Sequence, residues 1–255
     1  MKYLGFLITV AILFVALPAG SSEEITEQSL TSQGKKHDYY LFVPDTVKAP
    51  APLLILFHDY AHNAFSLVQK WTDIASREGI ILAGPDVLNS SRGWRIPEDG
   101  PEFVFNLAED LKANYPIDPL RIYLFGHSGG ASLFGHSGGA NFALTMSMLE
   151  SQYFAATAIH AGAWQSSQFS LTDSAKRKIP IAIFVGERDQ EFLASVLATS
   201  ERLKQKGFNV ELTTRPGYNH LYYDLAGSLN EQIWSFLKRY ELSEQPVYDR
   251  YSFDK

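Results

Sequence analysis

The sequence predicts an α/β fold in which a mostly parallel central sheet is flanked by helices and carries no sizeable cap domain. Short, nearly continuous apolar runs, such as 52–58 (PLLILFH) and 179–185 (IPIAIFV), are typical of strands that are covered on both faces. Segments with apolar residues at helical spacing lie between these runs. Strands that alternate with helices favour right-handed crossovers and parallel pairing, and ligands then bind beyond the carboxyl ends of the strands.

Each element is expected from its local pattern. The expected strands, in chain order, are 37–43, 52–58, 80–85, 121–125, 155–159, 179–185 and 209–214. The expected helices are 66–78, 102–115, 141–150, 190–205 and 229–240. In the helix at 102–115, for example, Phe103, Leu107 and Leu111 recur on one face. No linker-like composition interrupts the series, so a single domain is expected over 37–242.

The N-terminus has the pattern of a secretory signal peptide over residues 1–21. Lys2 precedes an apolar run that ends at Leu17, and a proline and small residues follow it. The run is shorter than the ~20 residues that a membrane span usually needs, and a membrane anchor is the alternative interpretation. A polar N-terminal segment, 22–36, then precedes the domain, and a tail of little periodicity, 243–255, follows it. We therefore expect a secreted or periplasmic protein.

Composition excludes several kinds of chemistry. The 255 residues are 45% hydrophobic and 20% charged, which is typical of a globular protein. Cysteine is absent, which excludes disulfides, thiolate nucleophiles and cysteine-based metal sites. The 22 basic and 28 acidic residues give a net charge of −6, which argues against nucleic acid as the main partner. The sequence has no P-loop lysine, dinucleotide fingerprint or metal-ligand spacing, so we expect neither a cofactor nor a metal.

A serine motif occurs twice in immediate succession. The sequence at 124–131 (LFGHSGGA) is repeated letter for letter at 133–140, which marks a tandem duplication of nine residues. Both copies fit the pattern Gly-x-Ser-x-Gly, the first after an expected strand and the second before an expected helix. In such a turn the serine side chain is exposed at a strained position, and the next N–H group can stabilise an oxyanion. Ser128 and Ser137 are therefore both candidate nucleophiles.

The fold must bulge one copy out of the regular structure. Nine residues added to a strand would exchange its two faces, and in a helix they would turn the downstream face by roughly half a turn. Ser128 has the intact strand upstream, whereas Ser137 has the intact helix downstream. Dismantling a buried strand should cost more than fraying a glycine-rich helix start. This argument favours Ser128 slightly, and Ser137 stays open as the alternative.

An acid and a histidine follow the serines in the order that a Ser-Asp-His triad on an α/β fold requires. Asp189 lies just after the expected strand 179–185, and His220 lies between the last expected strand and the last helix. Glu187 is the fallback acid. A surface turn is the alternative interpretation for each of these positions. Among the remaining histidines, His37 and His62 are expected at the surface, and His160 is expected in the core or the site wall.

Four stretches of the chain carry a family resemblance. They read YYLFVPDTVKAPAPLLILFHDY, IDPLRIYLFGHSGG, VGERDQEF and GYNHLYY, and together they span roughly residues 37–240. In their order and spacing they resemble secreted α/β-hydrolases of the polyhydroxybutyrate depolymerase and feruloyl esterase type. The resemblance implies the α/β-hydrolase fold, with Ser128 or Ser137 as nucleophile, Asp189 as acid and His220 as base.

The resemblance also implies an oxyanion hole and an acyl pocket. The N–H groups of Tyr60 and of Gly129 (or Gly138) would bind the oxyanion, and Trp94 would line the acyl pocket or pack in the core. The chain departs from these enzymes at two places. Its Gly-x-Ser-x-Gly turn, called the nucleophile elbow, is duplicated, and Asp59 stands where glycine is usual. A carboxylate beside an oxyanion site could narrow it or repel the developing negative charge.

These features predict a secreted serine carboxylic-ester hydrolase that forms an acyl-enzyme, with a feruloyl, acetyl or polyester-type ester as substrate. The expected partner is a small-molecule or polymer-linked ester, with no nucleic acid and, after signal cleavage, no membrane. Two alternatives stay open. The protein could be a serine peptidase or other acyl hydrolase on the same fold, or a non-catalytic protein disabled by the duplication. The sequence gives no indication of the oligomeric state.

Overall fold

The computed structural model describes residues 23–129 and 138–247. Within these ranges, eight strands form one sheet that is flanked by six α-helices and a 3₁₀-helix. The strands are β1 (Thr26–Ser32), β2 (Lys35–Phe42), β3 (Ala51–Phe57), β4 (Ile81–Pro85), β5 (Ile117–His127), β6 (Ala156–His160), β7 (Ile181–Gly186) and β8 (Val210–Arg215). The α-helices are α1 (Ala64–Gln69), α2 (Thr72–Glu78), α3 (Glu102–Asn114), α4 (Gly139–Leu149), α5 (Leu193–Gln205) and α6 (Tyr222–Leu237), and the 3₁₀-helix is Ser166–Asp173.

The sheet confirms the predicted fold class. Its strand order is β1-β2-β4-β3-β5-β6-β7-β8, with β2 antiparallel to both of its neighbours and every other neighbouring pair parallel. The carboxyl ends of β3, β5, β6, β7 and β8 therefore meet along one edge, and the loops that follow these strands lie side by side. Within the described residues no large cap covers this edge.

The core lies in two layers, one on each face of the sheet. Leu53 and Ile55 of β3 belong to the layer that contains α3, α4 and α5, whereas Leu54 and Leu56 belong to the layer that contains α1, α2 and α6. This alternation is the two-residue period of a strand. Because both faces of β3 are covered, its sequence is apolar without interruption.

The sheet has one more strand than the sequence pattern indicates. The polar segment 22–36 contains β1 and the beginning of β2, joined by a tight turn in which Gln33 has φ 50° and Gly34 has φ 72°. β1 is an edge strand and most of its residues are exposed. Its sequence therefore lacks the apolar run or alternation that marks a buried strand.

The single helix expected over 66–78 is two helices. α1 ends before Lys70, whose carbonyl accepts a hydrogen bond of 2.8 Å from the Asn230 side chain of α6. Trp71 follows with its ring buried against Phe125 of β5, at 5.4 Å between ring centroids. The break is thus stabilised by tertiary contacts, which helical periodicity does not reveal. α6 also begins earlier than expected, at Tyr222 rather than at residue 229.

His37 is buried, and the predicted surface position for this residue is wrong. Its ring stacks on Phe103 of α3 with the centroids 3.8 Å apart. Burial lowers the pKa of His37 to about 4, with a further contribution from the positive charge of Lys35. The imidazole is therefore neutral at pH 7 and acts as a flat core side chain.

The predicted signal peptide, 1–21, lies outside the described residues, as do residues 248–255 of the tail. Across 23–129 and 138–247, no helix is long and apolar enough to cross a bilayer.

Candidate active site

The strand β5 ends in a sharp turn at Ser128. Ser128 has φ 67°, in the left-handed region that a residue with a β-carbon rarely adopts. Its N–H donates to the carbonyl of His160 at the end of β6 (2.9 Å), and its own carbonyl accepts from the N–H of Ala140 in α4 (3.0 Å). These two hydrogen bonds hold the strained residue between strand and helix, as the Gly-x-Ser-x-Gly pattern predicts.

The helix after this turn begins with the second copy of the repeat. Gly138 is the N-cap of α4, and Gly139 is its first residue. A β-carbon on Gly139 would lie 1.9 Å from the carbonyl oxygen of Phe57, so only glycine lets α4 approach the end of β3 this closely. Residues 130–137, which include the candidate nucleophile Ser137, lie outside the described residues. The described elbow therefore takes its strand from one copy and its helix from the other.

Three predicted residues from three loops form a chain of hydrogen bonds. The Oγ of Ser128 lies 3.0 Å from Nε2 of His220, and Nδ1 of His220 lies 2.8 Å from Oδ2 of Asp189. This is the geometry in which a histidine can take a proton from a serine hydroxyl while an acid orients the ring. The fallback acid, Glu187, is exposed and does not replace Asp189 in this contact.

The carboxylate of Asp189 is buried and is hydrogen-bonded by His220 and by the N–H of Phe192. Burial alone would disfavour its charge, but the hydrogen bond and charge of His220 and the N–H of Phe192 (3.0 Å) outweigh that effect. Together they hold the pKa of Asp189 below its ordinary value. Asp189 is therefore ionised at neutral pH and can stabilise a positive charge on His220.

Close backbone packing brings the histidine loop to the acid loop. A β-carbon on Gly186, the last residue of β7, would lie 2.2 Å from the carbonyl oxygen of Tyr218. The same carbonyl accepts a hydrogen bond of 2.7 Å from the N–H of Arg188. The glycine at the end of β7 thus sets the distance between the two loops, and with it the contact of His220 with Asp189.

Aromatic and histidine rings surround His220, and of these neighbours the sequence predicted only His160 as part of the site wall. The Phe192 ring stacks on His220 with 4.6 Å between centroids, and the ring of His127 lies 5.2 Å away. His160, expected in the core or the site wall, is fully buried, with its Nδ1 3.1 Å from Nδ1 of His127. Burial and the charge of His220 lower the pKa of His160 to about 3, and burial lowers that of His127 well below its ordinary value. Both are neutral at pH 7, and His220 is the histidine whose ring contacts the Ser128 hydroxyl.

The predicted oxyanion loop lies at the carboxyl end of β3. Tyr60 is 56% exposed, whereas His58 and Asp59 on its N-terminal side are buried. The Nδ1 of His58 lies 2.6 Å from the carbonyl of Asp59, which fixes the backbone just before Tyr60. A β-carbon on Gly129 would lie 2.9 Å from the backbone nitrogen of Ala163, so the backbone at Gly129 is closely packed. The N–H groups of Tyr60 and Gly129 remain the proposed oxyanion donors, and Gly138 serves as the N-cap of α4.

Trp94 lies in the core and also borders a small cavity. Its Nε1 donates to the carbonyl of His58 (2.9 Å), and its ring stacks on Phe142 with 4.8 Å between centroids. Together with Tyr60 and residues of the segment 87–93, Trp94 lines a cavity of about 20 Å³ next to the oxyanion loop. The side chain thus has a packing role, and its part in an acyl pocket stays a prediction.

The sheet topology and the Ser-His-Asp contacts define an α/β-hydrolase. The model of the dienelactone hydrolase family matches residues 38–231, and the chain belongs to this family. The prediction of a hydrolase is confirmed by this family, and the resemblance to the α/β-hydrolase fold is confirmed as well.

Other known proteins are similar over different parts of the chain. The bifunctional acetylxylan esterase/xylanase XynS20E of Neocallimastix patriciarum is 28% identical over 101 residues, which are 38% of this chain and 15% of that protein. This chain thus spans only a small part of that relative. The structure of FphF, a fluorophosphonate-binding serine hydrolase of Staphylococcus aureus, has a TM-score of 0.67 at 13% identity and covers 84% of this chain and 98% of its own. LpqC, a poly(3-hydroxybutyrate) depolymerase from Bordetella parapertussis, has a TM-score of 0.64 at 14% identity, with coverage of 86% and 95%. At these identities the structural likeness shows the fold.

Proposed function

We propose that the protein is a serine carboxylic-ester hydrolase that works through an acyl-enzyme on Ser128. The observation that carries this proposal is the pair of contacts from Ser128 Oγ to His220 (3.0 Å) and from His220 to Asp189 (2.8 Å). Membership of a hydrolase family supports it. The strained conformation of Ser128 supports it too, because residues with a β-carbon rarely adopt the left-handed region and such strain is concentrated at functional sites.

The mechanism follows from which atom donates and which accepts in each of these hydrogen bonds. His220 takes the hydroxyl proton of Ser128 as Oγ attacks the ester carbonyl, and Asp189 stabilises the resulting imidazolium. N–H groups of Tyr60 and Gly129 hold the tetrahedral oxyanion. His220 then gives its proton to the departing alcohol, and a water molecule, deprotonated by the same histidine, releases the acid from Ser128.

The substrate we propose is a feruloyl, acetyl or polyester-type ester that reaches the site from solvent. The carboxyl edge of the described sheet has no large cap, which suits an ester attached to a polymer better than a fully enclosed lipid. An acetylxylan esterase among the relatives and a poly(3-hydroxybutyrate) depolymerase among the similar structures are in keeping with this class. We also propose export of the protein, on the basis of the signal-like segment at 1–21.

A probe and a substrate panel test the proposal together. Purified protein is incubated with a fluorophosphonate probe, and the modified peptide is identified by mass spectrometry. Hydrolysis of 4-nitrophenyl acetate, methyl ferulate, a 3-hydroxybutyrate oligomer and a peptide 4-nitroanilide is measured in parallel. We expect labelling on Ser128 and turnover of at least one ester, with slower cleavage of the anilide. A preference for the anilide would indicate a peptidase, and a protein that neither labels nor turns over any ester would be non-catalytic.

A further inference from the structure

The carboxylate of Asp59 lies buried between two loops of the active site. Its Oδ1 and Oδ2 lie 2.8 and 3.0 Å from Nδ1 of His62, and its Oδ1 lies 3.4 Å from the hydroxyl of Tyr223. The Nε2 of His127 faces Oδ2 at 3.8 Å. The side chain is only 11% exposed, so these groups replace most of the water around the charge.

These contacts join the oxyanion loop to the loop that carries the catalytic histidine. Asp59 and His62 flank Tyr60, the proposed oxyanion donor. Tyr223 lies in the first turn of α6, three residues after His220. The rings of His62 and Tyr223 stack with 3.7 Å between centroids, so the two loops meet through packing as well as through hydrogen bonds.

The protonation of Tyr223 suits a donor to a carboxylate. Burial, with the added negative charge of Asp59, raises the pKa of Tyr223 far above its ordinary value. Its hydroxyl therefore keeps its proton at neutral pH and donates to Asp59. His127, which faces the same carboxylate, is neutral because burial lowers its pKa.

We propose that Asp59 is a positioning residue that holds the oxyanion loop in register with the His220 loop through Tyr223 and His62. The inference rests on the proposed function, because it assigns Tyr60 to the oxyanion hole. Without the carboxylate, Tyr60 would be free to move relative to Ser128 and His220. A misplaced oxyanion donor weakens binding of the transition state and leaves substrate binding unchanged.

This role and electrostatic repulsion predict opposite effects. If the Asp59 carboxylate mainly repelled the developing oxyanion, removing its charge would accelerate the reaction. If Asp59 positions the loop, Asp59→Ala slows the reaction, and Asp59→Asn retains part of the rate because its amide oxygen can still accept from Tyr223. The direction of the change in rate therefore distinguishes a positioning role from electrostatic repulsion.

The experiment compares four variants, Asp59→Ala, Asp59→Asn, Tyr223→Phe and the double variant Asp59→Ala/Tyr223→Phe, with the wild type. The readouts are kcat and KM for 4-nitrophenyl acetate, the rate of fluorophosphonate labelling, and hydrogen exchange of the peptides that cover 58–67 and 217–225. Asp118→Ala is the matched acid control, because Asp118 is also largely buried and accepts hydrogen bonds, but at the start of β5. Tyr240→Phe removes a hydroxyl just beyond the opposite end of α6.

We expect Asp59→Ala to lower kcat about 10- to 100-fold with KM within about twofold of the wild type. Asp59→Asn should recover part of this loss, and Tyr223→Phe should lower kcat less. The double variant should be no slower than Asp59→Ala, because both changes break one connection. Tyr223→Phe should also speed exchange in the peptide 58–67, although the substitution lies in α6, and the two controls should leave both loops unchanged.

Three results would overturn the proposal. These are faster turnover in both Asp59 variants, additive losses in the double variant, or unchanged exchange in 58–67 on loss of the Tyr223 hydroxyl. If the wild type neither labels nor hydrolyses any ester, the proposed function fails. The exchange measurement still decides in that case whether Asp59 couples the two loops.

Discussion

The two copies of the repeat LFGHSGGA have the same sequence but contribute different halves of one structure. The first copy supplies the end of β5, where Leu124 and Phe125 pair with both β3 and β6, and it supplies Ser128. The second copy supplies the start of α4, where Gly139 touches the end of β3. Since the letters are identical, neighbouring strands and helices must decide which residues of each copy take the functional position. A duplicated elbow is therefore compatible with an intact site.

Removing each serine in turn tests most directly which copy supplies the nucleophile. We expect Ser128→Ala to abolish fluorophosphonate labelling and to lower ester turnover at least about 10³-fold, because no other hydroxyl in the described chain lies in this contact with His220. Ser137→Ala should stay within about twofold of the wild type. Labelling kinetics and turnover of 4-nitrophenyl acetate measure both variants. If Ser137→Ala were the inactive variant, the second copy would supply the nucleophile and the composite elbow would be wrong.

Much of this arrangement could be predicted from the sequence, and the rest depends on contacts between distant segments. The apolar runs of β3 and β7 predict buried strands, and the chain order of Ser128, Asp189 and His220 predicts the three side chains that meet in the candidate site. These signals are local or depend on chain order alone. The edge strand β1 carries no such pattern.

The partners of the predicted residues could not be read from the pattern. The burial of His37 depends on Phe103, and the surroundings of Asp59 depend on Tyr223, which is 164 residues away in the chain. The aromatic pair Tyr222 and Tyr223, directly after His220 in the sequence, is a signal that could have indicated a packed surface beside the histidine.

Gly139 provides the second test, through stability. We expect Gly139→Ala to lower the free energy of unfolding by about 1–3 kcal/mol or more, because the added β-carbon would overlap the carbonyl of Phe57 and backbone cannot move aside cheaply. Gly227→Ala is the matched control. Gly227 lies inside α6, and apart from the backbone of its own helix no atom lies within 4 Å of the added β-carbon. The substitution should therefore stabilise the protein slightly. Urea unfolding measures both.

Gly130 occupies the same position in the first copy as Gly139 does in the second. The Gly130→Ala variant therefore tests whether the packing demand is specific to the second copy. If Gly130→Ala were as costly as Gly139→Ala, the two copies would carry equal packing demands, and the helix start would not belong to the second copy alone.

The third test uses pH and the histidine of the motif. Burial, with the charges of His160 and His220, lowers the pKa of His127 well below the 6.5 of an unfolded chain. Below about pH 6.5 the unfolded state then binds a proton that the folded state does not, so stability falls as the pH falls. We expect His127→Phe to reduce the loss of unfolding free energy between pH 7 and pH 4.5 by about 1–2 kcal/mol, as measured by urea unfolding at both pH values. If the corresponding change in the second copy, His136→Phe, reduced that loss equally, the lowered pKa would not distinguish the first copy from the second.

Deleting residues 130–138 is the mildest test, and it removes the duplication itself. The product joins Gly129 to Gly139 and reads LFGHSGGANF, the same sequence that results from removing Ser132 together with either copy. β5 and α4 already occupy their places in the duplicated chain, with Ser128 and Ala140 hydrogen-bonded across the junction. A shorter connection between two fixed ends costs less chain entropy, so we expect stabilisation by about 0.5–1.5 kcal/mol and a melting temperature higher by a few degrees. Labelling of Ser128 should stay within about threefold of the duplicated protein, measured beside thermal unfolding on the same samples. A deletion protein that unfolds earlier or labels much more slowly would show that the extra nine residues support the site, and the second copy would then contribute more than the beginning of a helix.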